Sequence, residues 1–138
     1  MTDVHDKKTR SFNMSRIRSK DTKPELLVRK FLFSKGFRYK LHDKTLLGKP
    51  DLVFPKFRTV VFIHGCFWHG HKGCKYFALP KTRTKWWTEK INRNRQLDVK
   101  HNRDLKRAGW KIITIFECSL KPKKREKTLH ALAEQIGT

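Results

Sequence analysis

Acid is what this 138-residue chain most lacks: twelve Asp plus Glu stand against 34 Lys plus Arg, a formal net charge of +22. Self-repulsion on that scale works against the compact state, so surface solvation does not account for it. A polyanionic partner does, either nucleic acid or an anionic membrane. Long apolar runs are missing too. No stretch approaches the roughly 18 residues of a membrane span, and the opening MTDVHDKKTRSF lacks the apolar segment of a signal peptide. These absences turn the expectation away from the membrane and toward nucleic acid. Cysteine is scarce and odd in number, three in all, which excludes a disulfide framework. A reducing cytoplasm is the expected setting, with the thiols either ligating metal or simply buried. There is no low-complexity tract and no repeat at a solenoid period. The length supplies one sizeable core and not two.

The segment MTDVHDKKTRSFNMSRIRSK (1–20) is basic with few apolar positions and reads as a short helix or arm that buries little. In DTKPELLVRKFLFSKG, Thr22 is placed to cap a helix with Glu25 three residues on, a capping box. Pro24 lies in the first turn, where its missing N–H costs nothing. Leu27, Val28, Phe31 and Leu32 form an apolar stripe, and Gly36 is the terminator. FRYKLH (37–42) alternates with the period of a half-buried strand. PDLVF (50–54), the turn-like PKFR and TVVFIH (59–64) predict a hairpin with a buried second strand. TKWWTEKINRNRQLDVKHNRDLKRAG predicts a long basic helix, capped by Thr84 and broken near its middle. WKIITIFE (110–117) predicts a strand, and KKREKTLHALAEQIG a helix ending at Gly137. This order predicts an α/β fold: a mixed central sheet flanked by helices.

Folding the hairpin about residues 56 and 57 sets Asp51 opposite residue 62 or 63, beside His64. If Asp51 pairs with Phe62, His64 shares its face. A carboxylate there suits a hard cation, and a neutral histidine suits proton abstraction from water; phosphodiester hydrolysis needs both. The bland alternative is an Asp that caps a turn next to Pro50. The nuclease signature PD…(D/E)xK is half present, because Phe62 and His64 occupy the positions of its second acid and lysine.

The following loop, HGCFWHGHKGC (64–74), spaces Cys66, His71 and Cys74 as C-x4-H-x2-C, with Cys118 just after the last strand. Three thiolates and one imidazole make a closed tetrahedral zinc set. Spacing alone does not choose among His64, His69 and His71 as the nitrogen ligand. The alternative is three buried thiols, to which the Gly and Lys of the loop are poorly suited. Phe67 and Trp68 lie inside this loop and are expected on display. Trp86 and Trp87 begin the basic helix, and one of them is expected to anchor it to the core. Aromatics among cations suit stacking or wedging between bases. Lys90 and Asn94, four apart, share a helix face from which either can reach base edges.

Taken together, VHDKKTRSFNM, DTKPE, LLGKPDLVF, VVFIHGCFWHGHKGC, TRTKWWTEKINRN and GWKIITIFEC resemble the very short patch repair (Vsr) DNA mismatch endonuclease family. The resemblance runs in order across nearly the entire chain. It implies a variant of the PD-(D/E)xK, restriction-endonuclease-like fold: a DNA-contacting arm over 1–20, then one nuclease domain over 21–138 with a zinc-tied loop. It implies nicking 5′ to the T of a T·G mismatch in double-stranded DNA, the lesion left by deamination of 5-methylcytosine, with Mg²⁺ for catalysis and Zn²⁺ for structure. Carried across, Asp51 and the main-chain carbonyl of Ile63 would hold Mg²⁺ and Glu25 would act through metal-bound water. His69 would activate the attacking water and His64 would assist at the phosphate. Cys66, His71, Cys74 and Cys118 would hold zinc. Phe67, Trp68 and Trp87 would wedge from the major groove and Met14 from the minor groove, while Lys90 and Asn94 contact the mispair. The family also implies a bacterial cytoplasmic setting, mismatch-repair proteins as partners, and no membrane; the asymmetry of a lesion suits a monomer. Two other readings use the same features: a non-catalytic zinc-containing nucleic-acid-binding module, and a restriction-like nuclease that cuts matched DNA.

Overall fold

The computed structural model describes residues 22–137; the arm over 1–20 and Met14 lie outside the described residues. Helix α1 (Lys23–Ser34) starts as its sequence requires, with Thr22 Oγ1 accepting the Glu25 N–H at 3.4 Å. It ends in a Schellman turn, in which Gly36 N–H donates to Phe33 O and Phe37 N–H to Leu32 O. That turn needs the left-handed backbone Gly36 adopts, at φ +92°.

Four strands follow in the order β1-β2-β3-β4 across one sheet: β1 (Lys40–Leu41), β2 (Leu52–Phe54), β3 (Thr59–His64) and β4 (Lys111–Phe116). The first three run antiparallel, and β3 pairs with β4 in parallel. The turn between β2 and β3 is a 3-10 helix, Pro55–Phe57, closed by Arg58 in the left-handed region. Strand β1 is shorter than the alternation of FRYKLH predicts. Phe37 and Tyr39 hold this segment through edge-on ring contacts with Phe54, at 5.9 and 5.6 Å between centroids, and not through ladder bonds.

Helix α2 (Thr84–Arg107) runs unbroken for 24 residues, against the expected break. Its sequence contains neither Gly nor Pro, and at 1.5 Å per residue it is about 36 Å long. Its N-cap is Arg83 in a left-handed conformation, so Thr84 is the first helical residue; its hydroxyl donates to Pro80 O instead of capping. Helix α3 (Pro122–Gly137) closes the described fold. Among the described residues no helix is long and apolar enough to cross a membrane.

The sheet buries both faces. On one, Leu52, Phe54, Val61, Ile113 and Ile115 pack against Val28 and Leu32 of α1 and Leu129, Leu132 and Ile136 of α3. On the other, Val53, Val60 and Phe62 meet Leu105 of α2 in a smaller cluster. Burial of each such side chain stabilises by about 1.5–3 kcal/mol. Only Ile91 and Leu105 of α2 are buried, one well along the helix from the other. The stretch between them is thus held off the sheet and roofs a cleft.

Candidate active site and metal centres

The β2–β3 register places the site. Leu52 pairs with Val61, so one step outward Asp51 faces Phe62. Alternation then sets Asp51, Phe62 and His64 on the α2 side of the sheet. Asp51 Oδ2 accepts the Ile63 N–H at 2.7 Å, which pins the carboxylate at the strand end. Burial pushes its pKa up to about 6; the Ile63 N–H opposes that shift and the nearby Glu25 adds to it.

Two groups sit beside Asp51. Glu25, in the first turn of α1, is buried, and its Oε2 lies 3.0 Å from Arg29 Nη1 and 2.7 Å from His42 Nε2. His42 follows β1 and donates its backbone N–H to Asp51 O. Glu25, His42 and Asp51 each offer one ligand atom within 4.8 Å of the other two.

A second group lies across the cleft. His69 Nδ1 is 2.7 Å from Asp98 Oδ2 on α2, and the His64 ring stacks on His69 at 3.6 Å with 2° between planes. His64 Nδ1 is 4.0 Å from the same Asp98 oxygen. Burial, with His69 second, lowers His64 to about 4 despite the opposing pull of Asp98, so it is neutral at pH 7. The Asp98 carboxylate can only accept, so the proton of this contact sits on His69 Nδ1 and the ring is oriented by it.

The third group is Cys66, His71, Cys74 and Cys118, again with ligand atoms within 4.8 Å of one another. His71 is set by stacking on Phe116 at 3.9 Å, and Cys118 Sγ lies 3.4 Å from its Nδ1. Of the three loop histidines only His71 joins this set; His64 and His69 face Asp98. Burial raises the Cys66 thiol to about 12, so the sulfur keeps its proton unless a cation takes it. This donor set could hold a metal ion.

A cleft of about 1010 Å³ connects the first two groups, lined among others by Glu25, Asp51, Ile63, His64, His69 and Asp98. Phe67, Trp68, Lys90 and Asn94 line it as well. Phe67 and Trp68 are half-buried, not fully displayed. Phe67, Trp68 and Trp87 contact one another at 5.2–5.6 Å between centroids, a preassembled aromatic block. Neither Trp86 nor Trp87 enters the core clusters; Trp86 is exposed and packs edge-on against Trp87.

Helix α2 clamps the loop from above. Asn94 Nδ2 donates to Trp68 O at 2.8 Å, and Arg95 donates twice to Gly70 O, from Nε at 2.8 Å and Nη2 at 2.6 Å. Gly70 has φ +57°, and a Cβ there would lie 2.4 Å from Arg95 Nε and 2.5 Å from Ile91 Cγ2. Gly70→Ala is therefore expected to destabilise by about 2–3 kcal/mol, from overpacking and the left-handed backbone together. Urea unfolding checks this; a midpoint equal to wild type would mean that the loop is not clamped as described.

Asp98 and His42 are absent from the sequence-level expectation. Asp98 continues the Lys90–Asn94 spacing by another four residues, so the i, i+4, i+8 face pointed to it. His42 follows the β1 alternation, and only the β1–β2 register puts it at Asp51.

Residues 2–75 match the family described as DNA mismatch endonuclease Vsr. The chain is 53% identical to the type II nicking enzyme V.NmeAIP of Neisseria meningitidis over 89% of this chain and 87% of that protein. It is 46% identical to the type II nicking enzyme V.XorIIP of Xanthomonas oryzae, covering 87% and 88% of the two chains. Against the DNA mismatch endonuclease Vsr of Escherichia coli identity is 42%, over 99% of this chain and 86% of that one. Matches of this extent show a DNA-cleaving hydrolase, and the chain belongs to the Vsr DNA mismatch endonuclease family.

Proposed function

We propose that this chain is a Mg²⁺-dependent endonuclease that nicks duplex DNA 5′ to the T of a T·G mismatch, on a PD-(D/E)xK-like fold whose loop is tied by zinc. The observation that carries this reading is one cleft with carboxylates on one wall, a carboxylate-oriented histidine on the other, and Phe67 and Trp68 of the aromatic block in its lining.

Asp51 engages Ile63 N–H through one carboxylate oxygen, and its second is available to a cation. Glu25 and the main-chain carbonyl of Ile63 complete the oxygen-rich wall that Mg²⁺ prefers. A divalent ion held there would neutralise phosphate charge and help the leaving oxygen. His69 accepts the proton of the attacking water at Nε2, because Asp98 occupies its Nδ1. His64, neutral and buried, donates a hydrogen bond toward the phosphate. Zn²⁺ in the Cys66, His71, Cys74 and Cys118 set would serve as scaffold: four protein ligands leave no open position for substrate.

Recognition follows from deformability. A T·G wobble stacks less well than a matched pair, so inserting Phe67, Trp68 and Trp87 beside it costs less than elsewhere. Met14, on the arm over 1–20, would approach from the minor groove, and Lys90 and Asn94 would meet the mispair. Asn94 already bonds Trp68 O, which couples base contact to wedge position. The protein works as a monomer on an asymmetric lesion in the bacterial cytoplasm, with mismatch-repair proteins aiding turnover.

The test uses labelled T·G and matched C·G duplexes with Mg²⁺, both strands resolved. A nick only beside the T supports the reading; equal cutting of the matched duplex favours a restriction-like nuclease, and binding without cutting a non-catalytic module. Phe67→Ala is expected to slow T·G nicking at least about tenfold through lost stacking. An unchanged rate would remove Phe67 from the wedge.

A further inference from the structure

We infer that His42 is a direct ligand of the divalent cation at Glu25 and Asp51, through Nε2, and gives this site a nitrogen donor that favours Mn²⁺ over Mg²⁺. The inference rests on the reading of Asp51 as the cation site and adds a ligand to it.

Three observations converge on His42. Its Nε2 is buried without a hydrogen-bond partner among the described residues. Yet that nitrogen lies 2.7 Å from Glu25 Oε2, within ion-pair reach but off the direction a ring N–H would need. A nitrogen and a carboxylate oxygen brought this close without hydrogen-bond alignment have the arrangement of two neighbouring ligands of one cation. Adjacent ligands of an octahedral ion at about 2.1 Å stand about 3.0 Å apart, close to the spacing found. Second, Glu25, His42 and Asp51 bring one donor atom each to within 4.8 Å of one another, so a single ion can be shared by all three. Third, His42 holds a left-handed backbone at φ +47°, which a non-glycine residue adopts at a cost. The strain persists because the residue is fixed on both sides: its N–H bonds Asp51 O, and its ring is directed at Glu25.

The Arg29 guanidinium on Glu25 Oε2 does not replace this role, since it approaches from α1 itself, four residues on, and leaves His42 Nε2 unpartnered. Two carboxylates with one imidazole form a mixed donor set. Mg²⁺ gains little from an imidazole, whereas Mn²⁺ accepts nitrogen readily. The thiolate cluster, by contrast, is soft and retains zinc, so added Mn²⁺ reports on the carboxylate wall.

The experiment measures Mn²⁺ binding to the zinc-replete full chain by calorimetry, and the bound ion by pulsed electron paramagnetic resonance. Wild type is expected to show nitrogen modulation from a coordinated imidazole. His42→Asn, chosen because Asn tolerates the left-handed backbone while its shorter side chain cannot reach the ion, is expected to lose that modulation. It should also weaken Mn²⁺ binding about tenfold or more while changing Mg²⁺ binding less than about threefold. His42→Gln repeats the measurement with a longer side chain, and an unchanged thermal transition confirms that each variant is folded. Nitrogen modulation that survives in both variants overturns the inference, as does modulation that disappears in His69→Ala instead. Asp51→Ala separates the two levels: Mn²⁺ binding unaffected by it removes the cation site and the inference together. Mn²⁺ binding lost in Asp51→Ala but intact in His42→Asn removes His42 alone.

Discussion

Asp51→Asn is expected to lower T·G nicking by about a thousandfold or more and, at the same time, to make the metal-free protein more stable above pH 7. Loss of the cation's charge stabilisation removes several kcal/mol from the transition state, and about 4 kcal/mol is a factor of a thousand. The stability gain comes from the same burial that makes the carboxylate useful. Its pKa is raised from 3.8 to about 6, so the folded state holds the proton more tightly than the unfolded chain does. No ionisation cost therefore exists below pH 3.8. The cost grows as pH rises through 6 and then stays constant. Asn is neutral throughout and can still accept the Ile63 N–H through its side-chain oxygen. The gain should reach about 1–2 kcal/mol at pH 8, allowing for the water that still reaches the carboxylate, and vanish near pH 4. Saturating Mg²⁺ should reverse the order, because a ligand that binds only folded wild type stabilises only wild type. Thermal unfolding at pH 4 and 8, with and without Mg²⁺, reads all of this. Curves that stay superimposed at pH 8 without metal would show that Asp51 carries no ionisation cost.

Removal of the zinc proposed for the Cys66, His71, Cys74 and Cys118 set should be at least as damaging. The loop from His64 to Pro80 contributes only Cys66 to the fully buried apolar set, so little apolar packing holds it. It leans on the four-ligand cluster and on α2 through Asn94 and Arg95. Zinc binding in small sites contributes about 10–16 kcal/mol to folding, so Cys66→Ala or a strong chelator should release the loop. With the loop go His69, Phe67 and Trp68, and nicking should fall below detection although Asp51 is untouched. Metal analysis is expected to return one zinc per chain, and thiol titration should find the three cysteines protected until the chelator is added. A zinc-free preparation with three freely reactive thiols and full activity would overturn the scaffold role.

The order of elements was legible because the apolar periods were clean and the punctuation strong: Thr22 and Gly36 bound α1, and the 3-10 turn at Pro55 fixes the β2–β3 register. Hairpin folding alone leaves Asp51 opposite residue 62 or 63; the pairing of Leu52 with Val61 selects Phe62 and so sets His64 on the same face. Thr84 misled because a hydroxyl at a helix start usually caps; here it bonds backward to Pro80 and Lys81, and Arg83 takes the capping position. The expected break in α2 followed from its polarity, but anchors at Ile91 and Leu105 suffice when nothing between them disfavours a helix. His42 was hidden for a different reason. Its place depends on how β1 pairs across the ten-residue connection to β2, and periodicity does not report the register of strands joined that way. Asp98 was visible as a helix-face position but carried no chemistry until His69 was found against it.

The parallel pairing of β3 with β4 also governs what a nascent chain can do during synthesis. Parallel neighbours cannot close through a hairpin, so the edge of β3 waits for the whole crossover, α2 included, to leave the ribosome. Asp98 lies late in that crossover and Cys118 later still, beyond β4. An incomplete chain can thus display Asp51 and His64 on a hairpin, yet lacks Asp98, the carboxylate that meets His69, and Cys118, the last thiol of the four-residue cluster. On the ribosome, then, the proposed site stays incomplete until nearly all of the described fold has emerged.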